Sequence, residues 1–193
     1  CGVQAAHGRA PAVATGVSRA QDDAVVISYQ GDGDLAAIGA NNILQAANRG
    51  ERMAVIFVNN AIYGMTGGQM APTSYLSMRT TTSPHGRSAI NDGYPMRMCE
   101  IINTLEAPIY VARTSLASTK EIMQTRSAIR KCLQAQHERK GFTFLEVLSQ
   151  CPEQWKVDPV KADDWMREHM FPIYERKVFR DTIGDARPRP ARA

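Results

Sequence analysis

Residues 53–58, Met-Ala-Val-Ile-Phe-Val, form a continuous apolar run that ends in Asn59-Asn60. A strand with no polar alternation is buried on both faces, which is the habit of parallel sheets. A second β-rich run, 24–29, precedes it and stops at Gly31. Between the two, residues 34–47 are rich in Ala and Leu, with Gly50 as their stop. Strand, helix and strand over residues 24–58 make a βαβ unit, with parallel strands and a right-handed crossover.

The rest of the chain continues the alternation. Residues 61–93 read as one long loop rich in Gly, Pro, Ser and Thr, and a loop this long in a compact domain is usually functional or mobile. A helix is expected after Pro95 and a strand over 109–112. Ser118-Thr119-Lys120-Glu121 reads as a capping box, followed by an apolar stripe of Ile122, Ile129 and Leu133 and a stop at Gly141. A strand over 142–148 and a helix over 159–169 complete the pattern. The expected fold class is α/β, an open and mostly parallel sheet with helices on both faces. Residues 1–155 read as the principal domain and 156–193 as a C-terminal helix with a mobile tail.

Composition narrows the function classes. The chain has 193 residues and a net charge of +4, most of it from Arg187, Arg189 and Arg192 in the tail. The body is near neutral, so no nucleic-acid footprint is expected. No apolar run reaches the ~18 residues of a membrane span. The cysteines at 1, 99, 132 and 151 form neither a C-x-x-C pair nor a disulfide framework, and a reduced, cytoplasmic location is expected. The chain opens on Cys1 rather than Met, so a truncated N-terminus is expected.

The chemistry is expected at the strand ends. In open parallel sheets, ligands bind outside the carboxyl ends of the strands. Asp32 follows the first strand in Gly31-Asp32-Gly33-Asp34, and Asn60 follows the second. A carboxylate and an amide oxygen are hard ligands suited to magnesium or calcium, and the loop backbone after Asn60 can add a carbonyl. Asp34 is the expected N-cap of the following helix. That helix N-terminus favours an anion such as a metal-bound diphosphate. Residues 31–36 also match G-x-G-x-x-A, the dinucleotide fingerprint, but the second strand ends in Asn59-Asn60 where that fingerprint wants an acid.

Gly31-Asp32-Gly33 followed by Asn60, 28 residues after Asp32, resembles the thiamine diphosphate motif. Three longer stretches, at 7–16, 31–39 and 62–69, are similar to the β subunit of 2-oxoacid:ferredoxin oxidoreductases, of the 2-oxoglutarate and 2-oxoisovalerate kind. The resemblance implies oxidative decarboxylation of a 2-oxoacid to an acyl-CoA, with electrons passed to ferredoxin. It implies thiamine diphosphate, Mg and a [4Fe–4S] cluster as cofactors. Its expected partners are an α subunit carrying the pyrimidine-binding domain, ferredoxin, the 2-oxoacid and coenzyme A. Asp32, Asn60 and the Ile62 carbonyl match the family's magnesium ligands. His7, Gly33, Asp34, Gly64, Met65 and Thr66 match positions around the cofactor, with Gln69 and Ala71-Pro72-Thr73 in the same signature. Cys151 matches one cluster ligand; the others are expected on a C-x-x-C segment that this sequence lacks. Cys99 and Cys132 read as core thiols. Gly67 replaces a lysine found in some relatives, which leaves the 2-oxoacid open. The alternatives are a non-oxidative thiamine diphosphate enzyme component, such as a decarboxylase or synthase, and a cofactor-free binding module.

Overall fold

A computed structural model describes residues 1–188. Its main sheet has the order β1-β2-β6-β5-β7. β1 (Ile27–Gly31), β2 (Ala54–Asn59), β6 (Thr143–Leu148) and β5 (Tyr110–Ser115) run parallel. β7 (Val178–Asp181) closes one edge antiparallel to β5. The expected open, mostly parallel sheet is therefore the one found. Every residue of the central strand β6 is buried, as a strand covered on both faces requires.

Alternate residues of the strands feed two cores. On one face, Val55, Phe57, Val111 and Phe144 meet α1 (Ala10–Ala20), α2 (Ala40–Asn48) and α4 (Met98–Asn103). On the other, Ala54, Ile56, Ala112 and Leu145 meet α5 (Thr119–His137) through Ala128 and Cys132. Each large apolar side chain buried in this way contributes about 1.5–3 kcal/mol. α5 does not reach β1, where Ile27 and Tyr29 remain exposed. Cys99 and Cys132 are fully buried, and burial raises both thiols above their ordinary range. Both are core thiols, as expected.

Local chemistry sets the helix ends. The Ser118 hydroxyl accepts from the Glu121 N–H at 3.3 Å, as in a capping box. Glu121 answers by accepting from the Ser118 hydroxyl, at 2.9 Å, rather than from its backbone. α5 stops at His137, before Gly141 is reached, and Arg139 takes the left-handed conformation after it. The helix expected over 34–47 is split. Gly33–Ile38 is π-helical, with Gly39 N–H donating to the Asp34 carbonyl, and α2 follows.

The long loop is less loose than its composition suggests. It contains a small hairpin, β3 (Ile62–Tyr63) with β4 (Gln69–Met70), and one turn of helix, α3 (Ala89–Asp92). The buried Arg87 gathers its far half, donating to the carbonyls of Ala71, Pro72, Ser74, Asp92, Gly93 and Tyr94. The C-terminal part also differs from expectation. α6 (Pro152–Trp155) and α7 (Ala162–His169) pack over the carboxyl edge of the sheet, with Met166, Met170 and Tyr174 fully buried. Residues 178–181, expected in a mobile tail, form β7 because the free edge of β5 offers them a ladder. Residues 189–193 of that tail lie outside the described residues.

Candidate functional site

Pairing of Gly31 with Val58 and of Asn59 with Leu148 aligns the carboxyl ends of β1, β2 and β6. Asp32, Asn60 and Cys151 leave the sheet at that common edge. Asp32 is 4% exposed. It accepts from the Gly33 N–H at 2.9 Å, the Ile62 N–H at 3.2 Å and the Thr73 hydroxyl at 2.8 Å. No lysine or arginine is among these donors. Burial pushes its carboxyl up to about 6, against the downward pull of the Thr73 hydroxyl and the backbone N–H groups. A buried carboxylate held only by neutral donors is one that a bound cation would satisfy.

The turn after β2 is tightly held. The Asn60 side-chain oxygen accepts from the Ile62 N–H at 3.3 Å, and the Asn60 carbonyl accepts from the Trp155 indole at 3.0 Å. Ala61 between them takes φ 61°, rare for a residue with a Cβ. The expected ligand residues Asp32, Asn60 and Ile62 are thus brought together. Carboxylate, amide oxygen and carbonyl suit magnesium, which binds few protein oxygens and leaves room for phosphate and water.

The remaining expected residues fall around this point. His7, Thr66 and Gln69 line a cavity of about 330 Å³ together with Tyr63. Tyr63 escapes notice in the sequence because nothing marks one aromatic residue in a glycine-rich loop. In the structure its hydroxyl donates to the Gly33 carbonyl at 3.2 Å. A Cβ on Gly33 would lie 2.0 Å from the Tyr63 ring. Gly33→Ala should therefore displace that ring and destabilise the fold by about 1–3 kcal/mol, read as a lowered melting temperature.

Asp34 is not the N-cap that was expected; Asp32 caps the π-helix instead. Asp34 reaches back to the N-terminal segment, with one oxygen on the Gly8 N–H and 3.1 Å from His7 Nδ1, the other accepting from Gln30 at 2.8 Å. Gly64 and Met65 lie in the hairpin turn, Met65 fully exposed. Gly67 in the same turn has φ 111°, a conformation that disfavours the lysine of some relatives. Cys151 lies against the turn: a Cβ on Gly64 would be 3.2 Å from its sulfur. It stands without other cluster ligands, since no group of three His, Cys, Asp or Glu side chains is placed to hold a metal among the described residues. One thiolate does not complete a [4Fe–4S] site.

Residues 1–147 match the C-terminal TPP binding domain of the thiamine pyrophosphate enzymes. The chain belongs to that family. It is 53% identical over 189 residues to the ketoisovalerate oxidoreductase subunit VorA of Methanothermobacter thermautotrophicus, covering 97% of this chain and 40% of that one. It is 42% identical over 146 residues to the 2-oxoglutarate synthase subunit KorB of Methanocaldococcus jannaschii, covering 76% and 50%. The fold superposes on a solved 2-oxoglutarate:ferredoxin oxidoreductase from Magnetococcus marinus with 2-oxoglutarate, coenzyme A and succinyl-CoA bound. That match has a TM-score of 0.67 at 31% identity and covers 84% of this chain and 50% of that one. The chain thus spans half or less of the length of these relatives. No helix among its described residues is long and apolar enough to cross a membrane.

Proposed function

We propose that this chain is the thiamine diphosphate- and Mg-binding portion, over residues 1–155, of the β subunit of a 2-oxoacid:ferredoxin oxidoreductase. The complete enzyme would decarboxylate a 2-oxoacid oxidatively to its acyl-CoA, with ferredoxin as electron acceptor. The observation that carries the reading is the buried Asp32 carboxylate, held by neutral donors only, beside Asn60 and Ile62. Asp32, Asn60 and the Ile62 carbonyl would hold the metal that anchors the diphosphate. When bound, thiamine diphosphate supplies the nucleophilic carbon and the electron sink for decarboxylation. This chain's part is positional. Gly33 admits the Tyr63 ring beside the metal ligands, and Asp34 ties His7 to the start of the π-helix. His7, Tyr63 and Thr66 would face the cofactor across the cavity they line.

The partner would be an α subunit carrying the pyrimidine-binding domain. Branched-chain 2-oxoacids are the first substrates to test, since the 53% relative is named for ketoisovalerate and Gly67 puts no cation in the turn. A [4Fe–4S] cluster would take Cys151 as one ligand and the rest from outside these residues. The intact native complex should reduce a viologen dye with a 2-oxoacid and coenzyme A, and should contain iron. A complex that decarboxylates without iron or dye reduction would instead be the non-oxidative thiamine diphosphate enzyme.

A further inference from the structure

Glu146 is fully buried at the middle of β6, in register with Phe57 of β2 and Arg113 of β5. Its Oε2 stands 2.9 Å from Arg113 Nε, an ion pair with both side chains inaccessible to water. The same guanidinium donates to Glu100, at 2.5 and 3.1 Å. The other Glu146 oxygen accepts from Asn59 Nδ2 at 2.8 Å. Asn59 is itself fully buried, and its amide oxygen accepts from the Ala61 N–H at 3.0 Å.

This chain of contacts has a direction. An amide can face either way, presenting oxygen or NH2 to a given neighbour. A carboxylate accepts only. Were the Asn59 amide reversed, its oxygen would face the Glu146 carboxylate and its NH2 would face the Ala61 N–H, two repulsive contacts in a dry interior. Glu146 therefore specifies which end of Asn59 points at Ala61. Ala61 needs that contact, because at φ 61° it holds a left-handed conformation costly for any residue with a Cβ. The Ser74 hydroxyl grips the same residue from the other side, donating to the Ala61 carbonyl at 2.5 Å.

We propose that Glu146 is a positioning residue for the divalent-cation site: through Asn59 it holds Ala61 left-handed and so sets the placement of Asn60 relative to Ile62. The inference rests on the reading of Asn60 and Ile62 as metal ligands. Glu146 touches neither metal nor cofactor in this scheme.

The test is a mutant cycle in the intact complex. Calorimetry reads thiamine diphosphate affinity at saturating Mg for Glu146→Gln and Asn59→Ala, each in the parent and in an Ala61→Gly background. In the parent, each variant should weaken binding roughly tenfold or more, the scale seen when groups that orient metal ligands are removed. In the Ala61→Gly background the loss should shrink to less than about threefold, because glycine adopts positive φ without a clamp. The melting temperature without cofactor should fall for Glu146→Gln in both backgrounds, since glycine cannot replace the buried ion pair. If Glu146→Gln does not fold, the Asn59→Ala pair decides. Unchanged affinity in the parent, or equal losses in both backgrounds, would overturn the inference. Asp32→Ala separates the two failures. If it weakens binding strongly while the cycle shows no rescue, only the role of Glu146 falls; if it leaves affinity intact, the cation site falls and this inference with it.

Discussion

Asp32→Ala in the intact complex should weaken Mg-dependent binding of thiamine diphosphate by about 100-fold, or about 2.8 kcal/mol. Asp32 is the one carboxylate among the proposed ligands, and a hard divalent cation depends on it most. Asn60→Ala should act in the same direction and less strongly, because an amide oxygen carries no net charge. Stability should move the other way. A carboxyl whose folded value is raised from 3.8 to about 6 binds protons more tightly in the folded chain than in the unfolded one. Its anion then lowers apo stability progressively as pH rises through that window, and fully by neutral pH. Asp32→Asn should therefore leave the cofactor-free melting temperature at pH 7 unchanged or higher while binding is lost. Calorimetry and a melting curve on one sample read both effects, and a variant that loses affinity and stability together would argue that Asp32 is merely structural.

Arg87→Leu should destabilise the complex by about 3–5 kcal/mol, among the largest effects of any single change outside the proposed metal ligands. Six carbonyls lose the guanidinium at once; Ala71 and Pro72 keep a backbone N–H, and where a buried acceptor is left unsatisfied the cost is ~1–3 kcal/mol. Arg87→Lys should recover only part of the loss, since an ammonium has three donors and no planar fork. Because Ala71, Pro72 and Ser74 flank Thr73, which donates to Asp32, cofactor affinity should fall with stability. Chemical denaturation reads the first effect and calorimetry the second; a leucine variant of native stability would mean that the loop orders itself by other contacts.

Much of this was legible in residue types. Strands buried on both faces announce themselves by unbroken apolar runs, and Asp32 and Asn60 stood out because polar residues at the ends of such runs need a reason. What escaped was what depends on partners distant in sequence. β7 is a strand only because β5 exposes an edge, and nothing in Val178-Phe179-Arg180-Asp181 requires it. The π-helix at Gly33–Ile38 has the composition of an ordinary helix, and composition does not report a widened turn. α1 is hard to read from sequence because it buries small residues, Pro11, Ala14 and Ser18, which leave no strong stripe. By type Arg87 is one more polar loop residue, and its side-chain hydrogen bonds are to backbone, which every sequence has. Glu146 does carry a signal, a lone acid flanked by Phe144, Leu145, Val147 and Leu148. Its meaning needed the register that sets Arg113 across from it.

The strand order carries a consequence for how the chain acquires this site. β6 is the last of the parallel strands to be made, yet it lies between β2 and β5. Those two do not pair with each other in the finished sheet, so its ladder stays in two parts until residues 143–148 arrive and slot between them. Closing such long loops before any contact rewards them is slow. During synthesis, Asp32 and Asn60 would emerge well before the strand that fixes their neighbourhood. The proposed metal ligands precede β6 in the chain, but the place they occupy is built late.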